Sequence, residues 1–245
     1  MFKISALIRA ITLCLLSSII VSATGVGPDD NLETLMLIKP PDQLIYVTGY
    51  DGELNLSGGE LRRFQHFHDG DNFLESPLDA FGPRYISFNG CYFHPKVNFK
   101  KEGVYLIRLA RKRLFSQTVY FQYTVQVVPP GMYKIIVPTE TAQKDVWSDA
   151  AEAYCENVTA IMISPPANII YPVGYTGAID LSGIVVKPAK GWFPKKYDIA
   201  DLDYTLESDV DFNTPGSYIV KVTYMDEKGK EYWFCFTVAV AERAG

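Results

Sequence analysis

The sequence predicts an all-β protein made of two related β-sandwich modules, and three observations support this. Residues 38–58 return as residues 163–183 with eleven identical positions, and such self-similarity defines the domain plan. Apolar and polar residues alternate in several runs bounded by glycine and proline, as in strands joined by turns. Neither copy contains the apolar periodicity of a long amphipathic helix.

Residues 1–23 are predicted to be a cleaved secretory signal peptide. Lys3 and Arg9 give a positive start, residues 11–21 form an uncharged apolar run, and Ala23 ends a small-residue cleavage site. This run is shorter than the ~20 residues that a membrane-spanning helix needs. We therefore expect a secreted protein, extracellular, attached to the cell surface or periplasmic, with no transmembrane segment in the mature chain.

The charge of the chain disfavours nucleic acid as a partner. The formal net charge is −5, and removing Lys3 and Arg9 with the signal peptide takes it to −7. Binding to phosphate backbones needs a basic face.

Export changes the interpretation of the cysteines, because disulfides form outside the cytoplasm. Cys14 leaves with the signal peptide, so Cys91, Cys155 and Cys235 remain. Cys155 precedes the second module and Cys235 lies in its last predicted strand. First and last strands are often neighbours in sandwiches, so a Cys155–Cys235 disulfide is predicted, with Cys91 as a single thiol. The alternative is three reduced cysteines that pack as small apolar residues.

The first module is predicted to span residues 33–128. A short apolar run followed by Pro40 and Pro41 indicates an edge strand, because proline cannot donate to a ladder. Short strands are expected at residues 44–46 and 54–56. Two later strands are predicted around Tyr105 and at residues 119–127, where all odd positions are apolar.

Between these strands, residues 59–96 form an inserted segment that we expect to be largely irregular. The opening stretches of the two modules align at an offset of 125, whereas the later strands align at 113, so the first module carries twelve extra residues here. The sequence leaves open whether this segment is a binding insert or part of the sandwich.

Residues 129–157 are predicted to be a connector that contains a short helix at residues 145–154, and the second module spans 158–242. In its later half, Tyr218, Val220, Val222 and Tyr224 are expected to point inward, with Lys221 and Thr223 pointing out. A second alternating run follows at residues 232–240.

Three motifs of the second module resemble bacterial immunoglobulin-like domains of the group 3 type. They are Tyr171-Pro-Val-Gly174, Ile179-Asp-Leu-Ser-Gly183 and the late strand that begins at Asp211-Phe-Asn-Thr-Pro-Gly216. The resemblance implies two tandem immunoglobulin-like sandwiches, of which the first is divergent. Tyr218, at the start of a strand after a glycine turn, looks like a tyrosine corner, whose hydroxyl binds nearby backbone.

The sequence contains two candidate sites, a histidine group and an aromatic group. His66, His68 and His94 are candidate zinc ligands if a strand points the first two the same way. Trp192, Phe193 and Tyr197 form an aromatic group suited to stacking on a sugar or anchoring a protein.

The preferred hypothesis is an exported, non-enzymatic protein for surface interaction, adhesion or spacing, with a protein or glycan partner at the cell surface and no cofactor. Ser57 and Ser182 lie in a repeated turn motif that a folding role explains, so neither indicates a catalytic nucleophile with its base and orienting group. The alternatives are a carbohydrate-binding accessory protein that uses the aromatic group, and a metal-dependent enzyme that uses the histidines.

Overall fold

The computed structural model describes residues 34–67, 70–77, 91–94, 96–112, 117–134, 159–189 and 194–244. Over these residues the protein is all-β with a sandwich-like fold, which confirms the predicted fold class. The described parts of residues 34–64 and 73–245 belong to one compact unit. The predicted signal peptide and the predicted connector helix lie outside the described residues.

Among the described residues, seven strands lie in the first half of the chain and seven in the second. The first seven are β1 (Thr34–Lys39), β2 (Ile45–Val47), β3 (Glu60–Phe67), β4 (Gly70–Pro77), β5 (Cys91–His94), β6 (Gly103–Lys112) and β7 (Gln117–Val128). The others are β8 (Ala160–Ser164), β9 (Ile170–Pro172), β10 (Val185–Pro188), β11 (Tyr197–Asp198), β12 (Tyr204–Ser208), β13 (Gly216–Met225) and β14 (Glu231–Ala241).

The two halves share one strand order. In the first half the sheets run β1-β3-β4 and β2-β7-β6-β5; in the second they run β8-β10-β11 and β9-β14-β13-β12. In each half the short second strand lies parallel to the last strand. The antiparallel pairs are β1–β3, β5–β6, β6–β7, β8–β10, β10–β11, β12–β13 and β13–β14. We call the described parts of residues 34–128 and 159–241 repeat one and repeat two.

The core follows the alternation seen in the sequence. Tyr218, Val220, Val222 and Tyr224 are buried as predicted, and each pairs with a buried residue of β14. The odd positions from 121 to 127 are buried as well. These strands are rich in β-branched and aromatic residues, which suit a pleated surface buried on one side.

Two local predictions for repeat one are wrong. Residues 54–56 form no strand, because side chains bind the backbone there: the Asn55 N–H donates to the Tyr46 hydroxyl (2.9 Å) and the Ser57 N–H to the Asn55 side chain (3.0 Å). Residues 59–96 are not largely irregular, since they contain β3, β4 and β5. The local sequence pattern does not indicate these strands. β3 forms by pairing with β1, and β5 forms by pairing with β6.

Candidate functional site

Each repeat holds an aromatic trio at its first turn, made of Tyr46, Tyr50 and Phe99 in one and Tyr171, Tyr175 and Phe212 in the other. The ring centroids within each trio are 4.8–5.4 Å apart, in tilted or edge-on contact. In repeat two, a backbone hydrogen bond also joins the turn to Phe212, the third aromatic residue: the Gly174 N–H donates to the Phe212 carbonyl at 2.8 Å. Gly174 has φ +79°, a conformation that favours glycine.

The hydroxyl of the first tyrosine completes each trio. Tyr171 Oη accepts the Asp180 N–H at 2.7 Å, as Tyr46 Oη accepts that of Asn55. Burial raises the pKa of both tyrosine hydroxyls, which favours their neutral form still further. The doubled Tyr-x-x-Gly-Tyr-x-Gly motif is therefore explained by turn structure and packing.

The predicted tyrosine corner of repeat two is confirmed. The Tyr218 hydroxyl donates to the Thr214 carbonyl at 2.8 Å. Its equivalent in repeat one, Tyr105, has its hydroxyl 2.8 Å from the Lys101 carbonyl oxygen. Both tyrosines thus hold the turn that precedes their own strand.

The two repeats meet through a reciprocal contact between Thr124 in β7 and Thr237 in β14. Thr124 Oγ1 donates to the Thr237 carbonyl (2.5 Å) and accepts the Thr237 N–H (3.1 Å). Thr237 Oγ1 donates to the Thr124 carbonyl (2.6 Å) and accepts the Thr124 N–H (2.9 Å). The two residues are equivalent at the offset of 113, so the contact has local two-fold symmetry. We call it the threonine pair.

Side chains of repeat one also satisfy backbone groups of repeat two. Gln122 Oε1 accepts the Met162 N–H at 3.2 Å, and the Arg108 guanidinium donates to the Met162 carbonyl at 2.6 Å. Gln126 Oε1 accepts the Ile169 N–H at 3.0 Å. Polar side chains of β6 and β7 therefore bind backbone groups of β8, on the edge that does not pair with β10, and of the residue that precedes β9.

This contact corrects the expectation for Lys221. It points away from the core of repeat two as predicted, but it is only 2% exposed, because the outer side of β13 and β14 is covered. Its ammonium lies 3.0 Å from Glu207 Oε1, whose side chain is half exposed. Sequence alternation alone does not show that a polar face is buried against a second module.

The residues of the threonine pair were not recognised from the sequence, although a signal was present. Gln122, Thr124 and Gln126 occupy the polar side of a strand whose other side is wholly apolar. Superposing the repeats at the offset of 113 places Thr124 on Thr237. Uncharged polar residues at equivalent strand positions are candidates for a contact between repeats.

Cys235 lies on the same covered side of β14, opposite Lys221 in the strand register. Cys235 is half-buried and has no disulfide partner among the described residues, and desolvation raises the pKa of its thiol well above the usual value. Cys155 lies outside the described residues, so the Cys155–Cys235 disulfide stays a prediction. The backbone of Cys91 belongs to β5.

We expect iodoacetamide at pH 8 to modify Cys235 at least about tenfold more slowly in the folded protein than in protein unfolded in guanidinium without reductant. The reason is that the raised pKa leaves little thiolate, the reactive form, in the folded state. Peptide-level mass spectrometry measures the rate. Rapid modification of the folded protein contradicts the burial of this thiol. Reactivity that appears only after reduction would instead establish a disulfide.

Of the predicted aromatic group, only Tyr197 is described; Trp192 and Phe193 lie outside the described residues. Tyr197 is half-buried, with its ring centroid 6.4 Å from that of Tyr224 and the Lys195 ammonium 5.1 Å from its own centroid. Lys195 also contacts Glu227. Tyr197 thus has packing partners, and sugar binding by the group stays a prediction.

The predicted histidine site is only partly covered by the described residues. The backbone of His66 belongs to β3 and that of His94 to β5, in two different sheets, and His68 lies outside the described ranges. Within the described residues no cluster of three or more His, Cys, Asp or Glu side chains is arranged to hold a metal ion.

In comparisons with known proteins, no family model matches the chain and no curated protein matches it. In the part of the chain that the structure describes, no helix is long and apolar enough to cross a bilayer. A proposal about function therefore depends on the contacts described above.

Proposed function

We propose that the chain is an exported, non-enzymatic protein of two tandem immunoglobulin-like modules that acts in surface interaction, adhesion or spacing. The threonine pair carries this proposal. It joins the modules through buried, uncharged hydrogen bonds, which suits a protein that holds a binding surface at a set position.

The hydrogen-bond energy of the threonine pair favours a fixed position of the two modules relative to each other. A hydrogen bond inside a protein contributes about 0.5–1.5 kcal/mol net, so the four reciprocal bonds contribute on the order of 2–6 kcal/mol if they are independent. Modules joined by a linker and a small polar interface move relative to one another by default. A buried contact of this size opposes such motion.

The immunoglobulin-like interpretation has two supports. Both repeats pair the short second strand in parallel with the last strand, and both place a tyrosine hydroxyl on the turn before the penultimate strand. A tyrosine corner is a recurrent feature of such sandwiches. The fold itself does not identify a ligand.

The test begins with cells of the source organism. We expect the protein outside the cytoplasm and mass spectrometry to find its N-terminus after residue 23. The purified mature chain, fluorescently labelled, should then bind intact source cells saturably, whereas labelled albumin should not. Cytoplasmic retention with Met1 present contradicts export, and binding no greater than that of albumin contradicts the surface role.

A further inference from the structure

The outer edge of β12 is an unpaired sheet edge among the described residues of repeat two. β12 is the last strand of the sheet β9-β14-β13-β12, and among the described residues no strand pairs with its outer side. Its first four residues, 204–207, are all exposed. An edge of this kind presents a row of N–H and C=O groups that another strand can pair with.

The hydrogen-bond ladder shows which backbone groups face outward. The Met225 N–H donates to the Asp203 carbonyl at 3.3 Å, so Asp203 directs its polar groups toward β13. Bonding alternates along an antiparallel pair. Tyr204, Leu206 and Ser208 therefore turn their N–H and C=O groups away from β13, toward the free edge.

The other edges of repeat two are protected. Gln122 and Arg108 cap β8 at Met162. β9 and β11 have only three and two residues, and β9 ends at Pro172. β12 is longer than either, and the described residues give its edge no such cover.

Apolar side chains lie beside this free edge. Tyr204 pairs with Tyr224, and Leu206 pairs with Val222; these two partners are buried on the core side of the sheet. Tyr204 and Leu206 themselves are 47% and 37% exposed. An added strand would lay its own apolar side chains beside them. Alternating apolar contacts next to free backbone groups are what strand addition uses.

The charge around the edge determines the kind of partner. Residues 198–211 contain six acidic residues and no lysine or arginine, and most of the six are exposed: Asp198, Asp201, Asp203, Glu207, Asp209 and Asp211. Two copies of this edge would repel each other, whereas a segment rich in lysine or arginine is attracted.

We propose that the free edge of β12 binds an extended, basic segment of a partner protein by strand addition. The segment alternates lysine or arginine with apolar residues, pairs its backbone with Tyr204, Leu206 and Ser208, and packs its apolar side against Tyr204 and Leu206. This inference rests on the proposed role in surface interaction and names the surface that performs it.

The experiment uses the mature chain and a fluorescein-labelled heptapeptide of alternating lysine and valine, with binding followed by fluorescence anisotropy. We expect saturable binding. A peptide of the same sequence, N-methylated on every backbone amide nitrogen, keeps the charge but has no N–H to donate from either edge, and should bind at least about tenfold more weakly. A glutamate-for-lysine version should not bind.

On the protein side, Leu206→Pro removes an outward N–H without removing a ladder bond, and Leu206→Ala is its matched control with that N–H retained. Leu206→Pro should weaken peptide binding about tenfold relative to Leu206→Ala. Far-UV circular dichroism checks that both variants fold. If Leu206→Pro does not fold, the comparison with the N-methylated peptide decides alone.

The inference is overturned by no binding of the lysine peptide, by equal binding of the N-methylated or the glutamate peptide, by equal binding to folded Leu206→Pro and Leu206→Ala, or by dimerisation of the chain that Leu206→Pro abolishes. The last would make a second copy the occupant. The surface role is tested separately. Binding to source cells without peptide binding removes only the β12 inference, whereas peptide binding without cell binding removes only the surface role.

Discussion

Replacing Thr237 with valine is expected to lower the free energy of unfolding by on the order of 3 kcal/mol. Valine has nearly the same shape but no hydroxyl, so the Thr124 N–H and the Thr124 carbonyl both lose their partner. Each buried polar group left unpaired costs about 1–3 kcal/mol. Thr124 and Thr237 are almost fully buried, so water does not readily replace the lost bonds.

Because the contact is symmetric, the equivalent substitution in repeat one should have the same effect on stability. Thr124→Val removes the equivalent two bonds to Thr237 and should cost the same within about 0.5 kcal/mol. Thr205→Val, an exposed threonine on β12, is the matched control and should change stability by less than about 0.5 kcal/mol. Urea unfolding of the three variants gives the values. A cost for Thr237→Val no greater than that of the control contradicts the buried contact.

Tyr46→Ala is expected to cost about 3–5 kcal/mol, the range for deleting a large buried aromatic side chain. Tyr46 is fully buried and packs against Tyr50 and Phe99, with centroid distances of 5.3 and 4.8 Å. The substitution leaves a cavity and also frees the Asn55 N–H from its acceptor.

Tyr46→Phe separates these two causes, because it keeps the ring and removes only the hydroxyl. We expect a loss of about 1 kcal/mol, the size of one hydrogen bond. Urea or thermal unfolding measures both variants. If Tyr46→Ala costs no more than Tyr46→Phe, the trio does not hold the first turn in the way described.

Most of the fold of repeat two follows from its sequence. Period-2 alternation at residues 218–224 predicts the buried face of β13, and the glycine turn before Tyr218 predicts the tyrosine corner. These features are local: a strand face and a turn depend on residues within a few positions of each other.

Features that depend on distant residues were not predicted. The alternation correctly turns Lys221 away from its own core, but the pattern of β13 alone does not predict that this side chain is almost fully buried, with Glu207 beside its ammonium. β3 and β5 have little apolar alternation and owe their pairing to β1 and β6. The threonine pair was missed for the same reason, since neither strand by itself indicates which surface its polar side meets.

The amide hydrogens of Thr124 and Thr237 provide the most direct test that the two repeats are joined. Each N–H lies in a strand but bonds to the side chain of the other repeat. Hydrogen exchange followed by NMR should show both amides protected, to a similar degree and as strongly as their neighbours Val125 and Val238. Fast exchange at both threonines, with those neighbours protected, would contradict the contact on which the proposed function depends.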